Sequence, residues 1–321
     1  MFPSCCSRFY VWNKDLHEET RFLLNLFCAA AEREQQTGKM TLELLAAVFS
    51  DGGFPFHEVH LFDDYFDHDF NYRLDFLLDL YSQMKDCETK TGLSLLPSLQ
   101  SVFQLAPAVW TIKLSERKTS ILLEVLKLQS EKKPVKLMVC SHEESEVRSF
   151  LQFLPYVSQI RFDCWRSELH EQNRFLVNLF CSAAERDQQT GEKILEMLAS
   201  ICTYEKFPFE GPYEDEHYYD YDDEDEDDRV GIQSDFLLDL YSQMKDCETK
   251  TGLSLLPSLQ SVFQSAPEVW TIKLSERKTS ILLEVLKLQS EKKPVELMVC
   301  SHEESEVRHF LQCLTYISQF R

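Results

Sequence analysis

The stretch Val109–Asp163 reads VWTIKLSERKTSILLEVLKLQSEKKPVKLMVCSHEESEVRSFLQFLPYVSQIRFD. Short β-branched runs alternate here with apolar runs of helical spacing, which predicts strands separated by helices. Three runs fit one template. Val109, Ile112 and Leu114 precede Arg117; Val135 and Leu137 precede Cys140; Val157, Ile160 and Phe162 precede Cys164 and Trp165. The anchors Ile112, Val135 and Ile160 lie 23 and 25 residues apart. Between them, Ile121, Leu122, Val125, Leu126 and Leu128 mark one helix, ended by Lys132-Lys133-Pro134. Ser141 and Glu144 form a capping box for a second, through Val147, Phe150, Leu151 and Leu154, which Pro155 stops.

The same stretch returns between Val269 and Arg321, as part of a larger duplication. Asp75–Arg161 and Asp235–Arg321 differ at eight positions, among them Lys136/Glu296, Ser149/His309, Phe153/Cys313 and Pro155/Thr315. Upstream, the run from Asp15 matches the run from Glu168 at a spacing of 153, against 160 downstream. An older repeat is nested inside each copy. Phe22-Leu23-Leu24 to Thr37-Gly38 and on to Phe49 aligns without a gap on Phe76-Leu77-Leu78 to Thr91-Gly92 and Phe103. Each reads as a helix, a Thr-Gly turn and a shorter helix, with Gly38 and Gly92 placed where a helix end takes positive φ.

A period of 23 to 25 residues with these apolar anchors is that of the leucine-rich-repeat template. The expected fold is α/β and helix-rich: a leucine-rich-repeat-like solenoid of short parallel strands and helices, with inserted helical hairpins. Residues 1–14 form an N-terminal segment, 15–163 the first copy with an acidic loop at 51–71, and 164–321 the second with an acidic loop at 207–229. Twelve carboxylates between Glu210 and Asp228 make that second block self-repelling, and it reads as a disordered surface loop. Arg8-Phe9, Arg161-Phe162 and Arg321 hold equivalent places in successive copies. The chain therefore reads as a section of a longer array, and self-association is expected where a solenoid lacks a polar cap.

A net charge of −21 argues against nucleic acid and anionic membranes as partners. No run approaches the about 18 apolar residues of a spanning helix, and the start MFPSCCSRFYVWNKD lacks the apolar core of a secretory signal. A cytoplasmic location is expected. Of the eleven cysteines, Cys28, Cys87, Cys181 and Cys247 sit inside helical patterns and no C-x-x-C pair occurs. They read as reduced thiols acting as small core hydrophobes.

The chemistry-bearing patterns are absent or weak. There is no phosphate-binding G-x-x-x-x-G-K-[ST], no G-x-S-x-G and no H-E-x-x-H, so no nucleotide, cofactor or catalytic residue is expected. His57, His60 and His68 crowd the first acidic segment, where a solvated loop is the preferred reading over a metal site. Cys300-Ser301-His302 places a thiol beside an imidazole, but strand neighbours do not face each other.

The run TIKLSERKTSILLEVLKLQSEKKPVELMVCSHEESEVRHFLQCL, with RFLLNLFCAAAEREQQTG and DFLLDLYSQMKDCETKTG, resembles a repeat of the fish-expanded NACHT leucine-rich-repeat receptors. The resemblance spans Asp15 to Arg321. It implies a cytosolic innate-immune sensor whose repeats take part in ligand sensing or autoinhibition. This sequence holds no NACHT, pyrin or caspase-recruitment region, so ATP-driven oligomerisation is not carried over. The template's asparagine is replaced by Arg117, Cys140 and Arg277.

The expected function is a non-enzymatic protein-interaction module, with a protein partner or self-association. Alternatives are a metal-dependent enzyme using the acidic-loop carboxylates and an acidic decoy for basic partners. Side chains alternating with the buried ones face the open side of such strands. Those candidates are Thr111, Lys113, Ser115, Lys136, Met138, Gln159 and Arg161, with Lys273 and Glu296 in the second copy. Lys113, Lys136 and Arg161 form a basic stripe that Glu296 interrupts in the second copy.

Overall fold

The computed structural model describes residues 16–49, 72–97, 100, 103, 109–112, 116–137, 144–162, 168–209, 231–273, 275–299 and 304–321. The acidic residues 51–71 and 210–229, with His57, His60 and His68, lie outside them, as do Ser141 and Cys300-Ser301-His302. The chain divides into two compact units, Met1–Lys133 and Pro134–Arg321.

In the first unit, α1 (Leu16–Thr37), α2 (Thr41–Phe49) and α3 (Tyr72–Thr91) precede β1 (Trp110–Ile112) and α4 (Glu116–Lys127). Helix α1 packs on α2 and α3, and α3 on α4 and β1. Leu23 and Phe27 of α1, Phe76, Leu80 and Met84 of α3, and Val125 and Leu126 of α4 are all buried. These residues recur at helical spacing, so one apolar stripe per helix builds the core.

The division falls at the first residue of β2 (Lys133–Leu137). The second unit continues with α5 (Glu144–Phe153), β3 (Val157–Phe162), α6 (Leu169–Thr190), α7 (Ile194–Ile201), α8 (Ile232–Thr251) and α9 (Leu256–Ser265). Then come β4 (Trp270–Lys273), α10 (Glu276–Leu286), β5 (Lys293–Val299), α11 (Glu304–Cys313) and β6 (Ile317–Phe320). Strand β2 neighbours β3, and β4-β5-β6 form a sheet in that order. Both pairings in the latter are parallel, with Trp270 opposite Val295 and Val295 opposite Phe320. Parallel neighbours need a crossover, which α10 and α11 supply. The fold is thus helix-rich α/β with short strands in two small sheets.

The anchors behave as the spacing requires: Ile112, Val135 and Ile160 are all buried. Helix α5 stops at Phe153, Pro155 sits in a single 3-10 turn, and β3 begins at Val157. The packing division does not follow the repeat boundary at residue 163. The reason is that α5 of the first copy packs against α6 of the second.

Each long helix ends on one device, used four times. The N–H groups of Gly38, Gly92, Gly191 and Gly252, at φ between 69 and 73°, donate to the carbonyls of Glu34, Glu88, Asp187 and Glu248. The carboxylates of the same four residues accept N–H groups of the next helical segment. Glu34 takes Leu42 at 2.8 Å, Glu88 takes Leu95 and Leu96, Asp187 takes Ile194 and Leu195, and Glu248 takes Leu255 and Leu256. Thr37, Thr91, Thr190 and Thr251 donate their hydroxyls to carbonyls four residues earlier. One acidic residue therefore closes one helix and opens the next, where a negative charge favours the N-terminal end.

One segment read as loop is packed. Phe207 and Phe209, assigned to the acidic loop 207–229, are buried, and both rings sit edge-on against Phe236, at 6.1 and 5.6 Å. Phe162 donates its N–H to the Pro208 carbonyl at 2.9 Å, and the Tyr204 hydroxyl donates to the Ile160 carbonyl. These three aromatic side chains find aromatic partners.

Leu126→Ala, at a site with 0% exposure, is expected to cost roughly 2–5 kcal/mol through lost contacts and the cavity left behind. Glu248→Ala removes two cap bonds and is expected to cost about 1 kcal/mol. Glu192→Ala, at an exposed position in a neighbouring turn, should stay within about 0.5 kcal/mol. Urea unfolding of the three variants checks the order.

Candidate functional site

The strand-face candidates separate into those the structure describes and those it does not. Lys113, Ser115 and Met138 lie outside the described residues. Thr111 is half-buried between Trp110 and Ile112, both buried. Lys136 is half-buried between Val135 and Leu137, both buried. On β3, Gln159 and Arg161 flank buried Ile160, and the Arg161 guanidinium donates to the Gln159 side-chain oxygen at 2.8 Å. Lys136, Gln159 and Arg161 are thus brought onto neighbouring strands, Lys136 between buried Val135 and Leu137, and Arg161 between buried Ile160 and Phe162.

In the second copy the corresponding face is partly covered by its own chain. Thr271 pairs in register with Glu296 but is only 9% exposed, and its N–H donates to the Ser234 hydroxyl at 2.9 Å. A Cβ at Gly231 would meet the Thr271 carbonyl at 3.1 Å and the Met298 sulfur at 3.2 Å. The first turn of α8 therefore lies against Thr271 and Met298, and only glycine fits at its start, where φ is +85°. The Lys278 ammonium binds Asp235 at 2.6 Å, joining α10 to the same turn. Ser275, the counterpart of Ser115 in the second copy, caps α10 by accepting the Lys278 N–H. Lys273 stays half-buried at the end of β4, and Glu296 is exposed.

Two polar clusters recur in both copies. Tyr81 donates to Glu124 at 3.0 Å while Lys85 binds the same carboxylate at 2.6 Å; Tyr241, Glu284 and Lys245 repeat the arrangement. Burial and then the hydrogen bond to Glu124 push the Tyr81 phenol up to about 12. Burial and then the charge of Glu284 push Tyr241 up to about 12 as well. The Lys85 hydrogen bond holds the Glu124 carboxyl below its ordinary range.

Four cysteines are not isolated core fillers. Cys28 faces Cys87 at 3.0 Å between α1 and α3, and Cys181 faces Cys247 at 2.6 Å between α6 and α8, each thiol half-buried. Burial, then the partner thiol, pushes Cys28 up to about 12 and raises Cys181 too. Cys202 and Cys313 do fill the core. Helical periodicity placed all four paired residues correctly but carries no register between helices distant in sequence.

A groove of 710 Å³ runs between α7 and α9, lined by Asp187, Lys193, Glu196, Ser200, Ser258 and Ser261 among others. Most of these polar groups are engaged: Asp187 caps α7, Lys193 pairs with Glu196 at 3.0 Å, Ser200 donates to the Met197 carbonyl, and Thr203 donates to Ser261 at 3.2 Å. Among the described residues, no group of three His, Cys, Asp or Glu side chains is placed to hold a metal ion, and no helix is long and apolar enough to cross a membrane. No protein-family model, curated protein or solved structure matches the chain.

The raised tyrosines and thiols set an alkaline limit. The fold favours their neutral forms, so their contribution is complete below the ordinary values of 9.0 and 10.0 and is lost as pH rises towards about 12. The urea midpoint should fall steadily above pH ~9. In Tyr81→Phe/Tyr241→Phe the part of that decline above pH ~10 should flatten.

Proposed function

We propose that this chain is a non-enzymatic, leucine-rich-repeat-like interaction module of a cytosolic NACHT-type innate-immune sensor, which presents half-exposed strand faces to a protein partner. The observation that carries the reading is the Lys136/Glu296 pair. Two copies differing at eight positions over Asp75–Arg161 and Asp235–Arg321 keep their scaffold and reverse one charge on a strand face. A rigid backbone with an altered outward charge tunes which partner is attracted rather than how the chain folds. Supporting it, the side chains at Lys136, Gln159 and Arg161 sit on strands whose alternate residues are locked in the core. The basic first-copy face fits an acidic partner surface.

The test uses the full chain as bait in cytosol. A protein retained by the wild type, released by Lys136→Glu and weakened by salt is the expected result. Retention lost on excising Glu210–Asp228 but untouched by Lys136→Glu would favour the acidic-decoy reading. Tight, stoichiometric binding of a nucleotide or divalent metal in calorimetry would overturn the interaction reading.

A further inference from the structure

The α5–β3 layer of the first copy is sealed by α6. Val147, Leu151 and Leu154 are 1%, 5% and 1% exposed. Phe175 of α6 stands edge-on to Phe150 at 6.1 Å and to Phe162 at 6.5 Å. The second copy carries the same three apolar residues on α11 and just after it, yet no described helix lies over them. Val307, Leu311 and Leu314 are 45%, 56% and 46% exposed. On β6, Phe320 replaces Ile160 and is 55% exposed, with its ring 5.7 Å from Phe310. Four large apolar side chains of the α11–β6 layer are thus exposed, and exposed apolar surface of this kind marks interaction sites.

The complementary surface is in the same chain. Helix α1 is the sequence counterpart of α6 at the spacing of 153, so Phe22 stands where Phe175 stands and Leu26 where Leu179 stands. Phe175 and Leu179 are 0% exposed, whereas Phe22 is 55% exposed and Leu26 half-buried. We propose that the α11–β6 face receives α1 of a second copy of this chain, as the α5–β3 layer receives α6. The two surfaces differ, so the contact is heterologous, head to tail, and each molecule offers one surface of each kind. This names a partner within the interaction reading above, but it uses a surface distinct from Lys136 and Glu296.

The interface is tested by sedimentation velocity on the full chain, Phe22→Asp and Leu311→Asp. Concentrations up to the order of 100 μM cover the range in which exposed apolar surface drives association. The wild type should show species larger than the monomer that grow with concentration. Each variant alone should be monomeric, with loss of every larger species. Their equimolar mixture should form a one-to-one dimer and nothing beyond it, because Phe22→Asp retains an intact α11–β6 face and Leu311→Asp an intact α1 face. Val307→Asp should behave as Leu311→Asp, and thermal melts matching the wild type establish that each variant folds. A wild type monomeric throughout, a monomeric mixture of folded variants, or a single variant that still associates would overturn the proposal. Lys136→Glu should associate like the wild type; loss there would mean that association uses the strand face, which also overturns it.

Discussion

Burial of a strand–helix layer beneath the next long helix is the constraint on which the second unit depends. A layer such as α5–β3 has two apolar sides and its own elements cover only one. Val147, Phe150, Leu151 and Phe162 become core because α6 places Phe175 among them. Within one compact unit, the end of one repeat and the start of the next are a single packing entity.

The hairpin turns obey a different logic, set by hydrogen bonds rather than area. A glycine at positive φ ends each long helix and leaves the following N–H groups without intrahelical partners. Glu34, Glu88, Asp187 and Glu248 supply both the last carbonyl and the next cap. The angle between two helices is thus tied to one side chain four residues before glycine. The same Thr-Gly spacing survives in all four hairpins, including the pair whose remaining sequence has diverged most.

Much of this was legible in the sequence because it is local. The helical spacing of Phe22, Leu23 and Leu26, the Thr-Gly turns and the alternation around Ile112, Val135 and Ile160 all act over a few residues. What escaped the sequence is long-range. Thr271 has the phase of an outward residue, yet α8 turns over it, and only Gly231 after the acidic block hints at so close an approach. Cys28 and Cys87 meet because two helices share a register that no single helix encodes. Phe207 and Phe209 were masked by the carboxylates beside them, since a composition window averages an anchored aromatic pair with its charged neighbour. The acidic cap could have been found, as it recurs four residues before every one of these glycines. On the strand face, Lys136, Gln159 and Arg161 are half-buried, while what binds there is a property of a second molecule.

The near-identity of α1 and α6 leaves the receiving layers little means of telling them apart by shape. For α6 the choice is made by attachment: six residues, 163–168, separate Phe162 from Leu169. A short linker gives its cargo an effective concentration of about millimolar. A face met only by another molecule has no such advantage, and its occupancy follows how much protein a compartment holds. Under the proposed head-to-tail contact, one of two chemically similar surfaces in a chain is filled by connectivity and the other only as abundance allows.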